Sequence, residues 1–197
     1  MGKKVIFGVA TLFILGAALL AARGGLFAPG TPEVSTVSPE AAARAEEKLA
    51  ELAANGVEAR LDAGELTSLL RYRLDAWSDT PVIEPSVSIV LDTVTLSGSV
   101  AAADLPAEPE LEAFRYLLPE TTQVVVTGTL STGAAGVATL RISSVEVAGM
   151  PVPPRFYPVI LSRFGTQYHK PPDGIALPLP AVVSDARVED GELVLSP

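Results

Sequence analysis

Residues 5–22, VIFGVATLFILGAALLAA, form an 18-residue stretch without a single charged side chain. As a helix it would be about 27 Å long, close to the hydrocarbon thickness of a bilayer. Inside a soluble domain such a segment would need burial on every side, and a 197-residue chain has little left to bury it with. The segment is therefore expected either to span a membrane or to be a signal peptide. Small residues are wanted at −3 and −1 of a signal-peptide cut. Cutting after Ala22 places Leu20 at −3, and cutting after Ala21 places Leu19 there. Length and poor cleavage geometry favour an uncleaved anchor over residues 1–23, with a cleaved signal peptide as the alternative. Lipoprotein processing is excluded, because it requires cysteine and the chain has none.

Charge gives the segment a direction. Residues 1–23 hold Lys3, Lys4 and Arg23 and no acid, leaving 11 basic against 23 acidic residues in the rest, a net −12. Basic residues before a span favour a cytoplasmic N-terminus. The expected location is thus a single-pass protein of the cell membrane, with its body extracytoplasmic. An acidic body repels nucleic acid, whose binding depends on neutralising phosphates. It also disfavours adsorption on anionic lipid, so any lipid contact should be apolar.

Residues 24–38 read as a linker of Gly, Pro and small polar residues. A surface or stalk helix over 39–56 follows. Ser38 is its cap, Pro39 its first residue and Asn55-Gly56 its stop, with only Leu49 and Leu52 as a thin apolar stripe. The body, 57–197, opens on a strand at Val57–Leu61. Asp62 and Glu65 then form a capping box for a second helix, with Leu66, Leu69, Leu70, Leu74 and Trp77 on its apolar face. Arg71, Arg73 and Asp75 fall on its wet side, and Pro81 and Pro85 end it.

The middle of the chain alternates as strands do. Val87, Ile89 and Leu91 share one phase, and Val94, Leu96 and Val100 the other; Val124, Val126 and Leu130 make a further run. Ala138, Leu140 and Ile142 shift phase to Val145 and Val147. One-residue slips turn side chains to the opposite face unless a bulge absorbs them. Asp92-Thr93 and Ser143-Ser144 are read as bulges in long bent strands, with plain turns as the alternative. A hairpin loop is expected at 131–136, short helices at 108–118 and 154–164, and a terminal hairpin turning at Glu189-Asp190-Gly191. Hairpins rather than βαβ units indicate an α+β fold, a curved antiparallel sheet packed on one or more amphipathic helices.

No catalytic, cofactor or metal constellation is legible. His169 is the only histidine and lies in a polar loop. Glu108, Glu110, Glu112 and Glu120 read as a solvated face, Asp173-Gly174 and Asp190-Gly191 as turns, and Gly128, Gly133 and Gly136 as hairpin geometry. What remains is apolar: Leu66, Leu69, Leu70, Trp77, Phe114, Phe156, Ile160 and Phe164 could line a ligand groove between helices and sheet, or fill an ordinary core.

Three segments carry a family resemblance. Leu61-Asp-Ala-Gly-Glu-Leu-Thr-Ser-Leu-Leu70 resembles the opening helix of small membrane-anchored bacterial proteins of the YpmS-like and LmeA-like kind. Val145-Glu-Val-Ala-Gly-Met-Pro-Val-Pro153 resembles their strand ending in Gly-x-Pro-x-Pro. Leu177-Pro-Leu-Pro-Ala-Val-Val183, followed by Val188-Glu-Asp-Gly-Glu-Leu-Val-Leu195, resembles their closing hairpin. The resemblance spans 57–196. It implies a tubular lipid-binding (TULIP-type) domain, in which a helix sits in a curved sheet around an apolar groove. The resulting expectation is a non-enzymatic, membrane-anchored domain that binds a lipid or another apolar ligand without a cofactor. The alternative is an anchored structural or protein-interaction module of the envelope with no ligand cavity; no protein partner is legible.

Overall fold

The computed structural model describes residues 36–73, 82–105, 118–132, 137–157 and 174–197. The expected anchor, residues 108–117 of the expected 108–118 helix, residues 133–136 of the expected 131–136 loop, His169, Leu74, Asp75, Trp77 and most of the 154–164 helix lie outside them. Among the described residues no helix is long and apolar enough to cross a membrane.

Helix α1 spans Pro39–Asn55, with the Ser38 side chain accepting from the Ala41 N–H at 3.2 Å and Gly56 closing it in the left-handed region at φ 66°. The helix does not stand off the domain as a stalk. Ala42, Ala45, Leu49 and Leu52 recur at spacings of three and four and are buried, the last three within the main core. Alanines let the helix approach closely, so a stripe that looks thin in leucines is a full packing face. Helix α2, Ala63–Tyr72, starts at the expected capping box. Arg71 and Arg73 are exposed, and α2 packs on both α1 and the sheet.

Two antiparallel sheets complete the fold. Strands β2 (Val82–Val90), β3 (Thr93–Ala101), β4 (Thr121–Thr132) and β5 (Val137–Val147) form a meander, extended beyond β5 by β6 (Met150–Pro151) and β7 (Gly174–Pro178). Strand β1 (Ala59–Leu61) pairs with β9 (Glu192–Ser196), and β9 with β8 (Asp185–Glu189), as a separate three-stranded sheet. The expected α+β architecture with a curved antiparallel sheet is present. The terminal hairpin turns at Asp190-Gly191, both with positive φ, the pairing that type I′ turns demand.

Of the two expected bulges, one stands. Thr127 pairs Ser144 while Gly128 pairs Ile142, so Ser143 is the extra residue that bends β5. Asp92-Thr93 is not a bulge. Val90 pairs with Thr93, which makes Leu91-Asp92 a two-residue hairpin turn between separate strands; Leu91 therefore leaves the inward phase and is 81% exposed. The second bulge of the sheet lies instead between Ile83 and Ser86, with Glu84 at φ 50°. Pro85 thus belongs to β2 and does not end a helix. A bulge tolerates proline because its ladder hydrogen bond is already missing.

Gly128 also differs from expectation. It sits inside β4, not in the hairpin loop, opposite the Ser143 bulge. A Cβ there would lie 2.3 Å from the Arg141 carbonyl oxygen. The glycine permits the close backbone approach that the bulge creates.

Candidate functional site

The inward face of the curved sheet is apolar along every long strand, with Ile89 on β2, Leu96 on β3, Val126 on β4 and Leu140 and Val145 on β5 all buried. Alternate residues on the outward face are mainly Ser and Thr. Bulges in β2 and β5 increase local twist and bend the strands, so this apolar face curves around what lies on it. Helix α2 packs against the sheet at its edge strand β2, and its leucines join the same core cluster as this face.

Three sides of α2 do different work. Leu66, Leu69 and Leu70 are buried in the core cluster they share with the sheet and with Phe156. Glu65 and Ser68 meet α1. The Glu65 carboxylate is 3% exposed and accepts from Lys48 Nζ at 2.7 Å and from the Asp62 N–H at 3.2 Å, with Arg44 Nε at 3.8 Å. Ser68 Oγ donates to the Gly64 carbonyl at 2.6 Å and accepts from the Ser38 N–H at 3.0 Å, which fixes the start of α1 against α2. Thr67 and Arg71 meet the backbone of the edge strand β2. The Val87 N–H donates to Thr67 Oγ1 at 2.9 Å, and Arg71 Nε donates to the Pro85 carbonyl at 2.8 Å.

Of the expected groove residues, Leu66, Leu69, Leu70 and Phe156 come together in one continuous apolar cluster. Trp77, Phe114, Ile160 and Phe164 lie outside the described residues. Phe156 is in a 3₁₀ turn, Pro154–Phe156, with the Arg155 guanidinium 4.7 Å from its ring centroid. Tyr157 follows and its hydroxyl accepts from the Val145 N–H at 3.3 Å, holding this turn to β5 near the bulge.

The polar groups buried around this cluster are Glu65, Thr67, Ser68 and Thr122, and each is hydrogen-bonded within the chain. Glu65, Thr67 and Ser68 orient α2, and Thr122 ties the start of β4 to the Pro119 carbonyl. Sequence reasoning found Glu65 as a cap but not as a buried ion-pair partner, and it missed Thr67 and Ser68. Their signal was available: both polar residues interrupt the leucines of Leu66–Leu70, on faces that must meet something other than the sheet.

A network of exposed ion pairs lies on the three-stranded sheet. Arg60 contacts Glu58, Glu189 and Glu192 at 3.0–3.5 Å, and Arg187 contacts Asp185, Glu58 and Glu189 at 3.0–3.2 Å. Arg60 and Arg187 are both in register with Val194, which is fully buried. Hydrogen bonds from Thr132 and from Arg187 hold the Asp185 carboxyl below its ordinary range. The Arg187 hydrogen bond, with help from Ser196, lowers that of Glu58. Among the described residues no group of three or more His, Cys, Asp or Glu is placed to hold a metal ion. No family model, curated protein or solved structure matches the chain.

Proposed function

We propose that this chain is a membrane-tethered, non-enzymatic domain that holds a lipid or another apolar ligand between α2 and its curved sheet. Residues 5–22 are its single-pass anchor, the N-terminus is cytoplasmic and the body is extracytoplasmic. The observation that carries the reading is the joining of Leu66, Leu69, Leu70 and Phe156 to the sheet's inward face in one apolar cluster, with the nearby polar groups turned to α1, to β2 or to their own helix. An interior of this kind offers an acyl chain hydrophobic transfer at about 25 cal/mol per Å². The TULIP-type resemblance of residues 57–196 belongs to the same proposal.

Native mass spectrometry of the full chain, extracted from membranes with mild detergent, tests it. A stoichiometric adduct of lipid mass that organic solvent removes is the expected result. Protein that is always ligand-free, with a filled interior, overturns it. The intact mass also tests the anchor, because loss of residues 1–22 would make that segment a signal peptide.

A second reading, an anchored structural or protein-interaction module, draws on Ile83 and Val90, both more than half exposed on β2. One stoichiometric envelope protein recovered with the chain would favour it.

A further inference from the structure

We infer that the β2–β3 hairpin tip, through Val90 and Leu91, is a finger that inserts shallowly into the bilayer in which the chain is anchored. The inference rests on the anchor reading of residues 5–22. Leu91 is 81% and Val90 60% exposed, the two most exposed large apolar side chains among the described residues. Leu91 also occupies a position that does not suit it. Of the two turn residues only Leu91 has positive φ, at 57°, the pattern of a type II′ turn whose first position prefers glycine. In two other two-residue hairpin turns, Ala148-Gly149 and Asp190-Gly191, the first position also holds a non-glycine residue at positive φ, but a small or polar one, Ala148 at 51° and Asp190 at 53°. Here an apolar side chain is held in a strained conformation at the apex of a hairpin, facing water.

The surroundings fit neutral lipid. Thr93 pairs with both Val90 and Thr129, which sets hydroxyls beside the apolar apex at the depth of headgroups. Asp92 is the one charge at the apex, so insertion stops at the interface, and a body of net −12 adds no attraction to anionic lipid. Two side chains would not hold a free protein to a membrane. They suffice here because a tether of residues 24–35 can reach no further than about 40 Å, which keeps the tip at a high effective concentration beside the surface. The same small size argues against a protein partner, since a stable interface needs about 800 Å² on each side.

The chain has no cysteine, so single sites can be labelled. Full-length chain carrying Leu91→Cys or Thr121→Cys, the latter exposed at the opposite end of the sheet, is given an environment-sensitive dye and reconstituted in phosphatidylcholine vesicles. The expected result is several-fold brighter, blue-shifted emission at 91, quenched by brominated acyl chains, and water-like emission at 121. Water-like emission at 91 in chain that resists alkaline extraction overturns the finger and leaves the anchor standing. Release of the chain by alkali overturns the anchor and the finger with it. A dye at 91 that is bright but unquenched by brominated lipid is covered by protein, which also overturns the inference. A second variant guards against misfolding. Leu91→Gly, with the dye at Val90→Cys, should raise the melting temperature relative to Val90→Cys alone and abolish quenching; retained quenching or a lowered melting temperature goes against the finger.

Discussion

The hydroxyl of Thr67 closes on the backbone of Val87 from both directions. It accepts from the Val87 N–H at 2.9 Å and lies 3.4 Å from the Val87 carbonyl oxygen as donor. Strand β2 is the edge of its sheet, and an edge leaves backbone groups open to pairing with other chains. Here a helix side chain stands in for the missing strand. Arg71, one turn further along α2, does the same for the Pro85 carbonyl. The two contacts set the height and rotation of α2, and so decide which leucines reach the sheet.

Thr67→Val should therefore be costly despite its similar size. It leaves the buried Val87 N–H unsatisfied, at about 1–3 kcal/mol. Thr67→Ser retains the oxygen and should recover most of that. Chemical unfolding of the two variants beside the parent chain checks the order; equal stability of Thr67→Val and parent would show that the edge needs no cap.

Lys48 and Glu65 form the pair that locks α1 to α2. Removing one partner of a fully buried pair costs about 3–5 kcal/mol. Lys48 is 39% exposed, so water partly replaces it, and Lys48→Met should cost less, about 1–3 kcal/mol, the range for a buried acceptor that loses its partner. Glu65→Gln relieves the stranded charge, and the double variant should be more stable than the sum of the single losses predicts. A double-mutant cycle measures that coupling; strict additivity would argue against the pair.

Gly128→Ala should destabilise the sheet through the backbone, not through the loss of flexibility in a loop. Its Cβ would meet the Arg141 carbonyl oxygen, and overpacking of this kind costs about 1–3 kcal/mol. Thermal unfolding reads the loss. Deleting Ser143 as well removes the extra bulge residue, keeps Val145 and Val147 in the inward phase of Leu140 and Ile142, and should recover part of the loss by relieving the close backbone approach that the bulge creates.

Acid should weaken the three-stranded sheet. Asp185 and Glu58 have folded-state pKa values below their ordinary range. Their contribution to stability is present in full above the unfolded carboxylate pKa, about 4, and is lost as pH falls through the lower folded values. Arg187→Gln removes a partner of both. The variant should lose stability at pH 7 and show a smaller further loss between pH 7 and pH 3 than the parent chain. Unfolding midpoints at the two pH values check this; parallel losses in both proteins would mean that the pairs do not set the acid response. The arginines are 40–41% exposed, so added salt should shrink the difference.

Much of the fold was legible locally. Ser38-Pro39 and Asn55-Gly56 bound α1, Asp62 with Glu65 starts α2, and Asp190-Gly191 turns the last hairpin, because caps and tight turns depend on residues within one turn of each other. The phase slip at Ser143-Ser144 was readable as a bulge for the same reason. An identical slip at Asp92-Thr93 was not: a phase change is compatible with a bulge or with a turn, and only pairing of Val90 with Thr93 separates them.

By itself the sequence determined the apolar segment at 5–22, the acidic body, the alternation of the strands and the apolar face of α2. Each follows from composition or from a period of two or 3.6 residues. Tertiary structure alone decided that β1 joins the terminal hairpin across some 130 residues of chain, that alanines on α1 make a packing face, that Glu65 is buried against Lys48, and that Thr67 caps the edge at Val87. It also decided that Leu91 points into water. These depend on which surfaces meet, and surfaces distant in sequence are brought together by burial, which is non-directional and leaves no local signature.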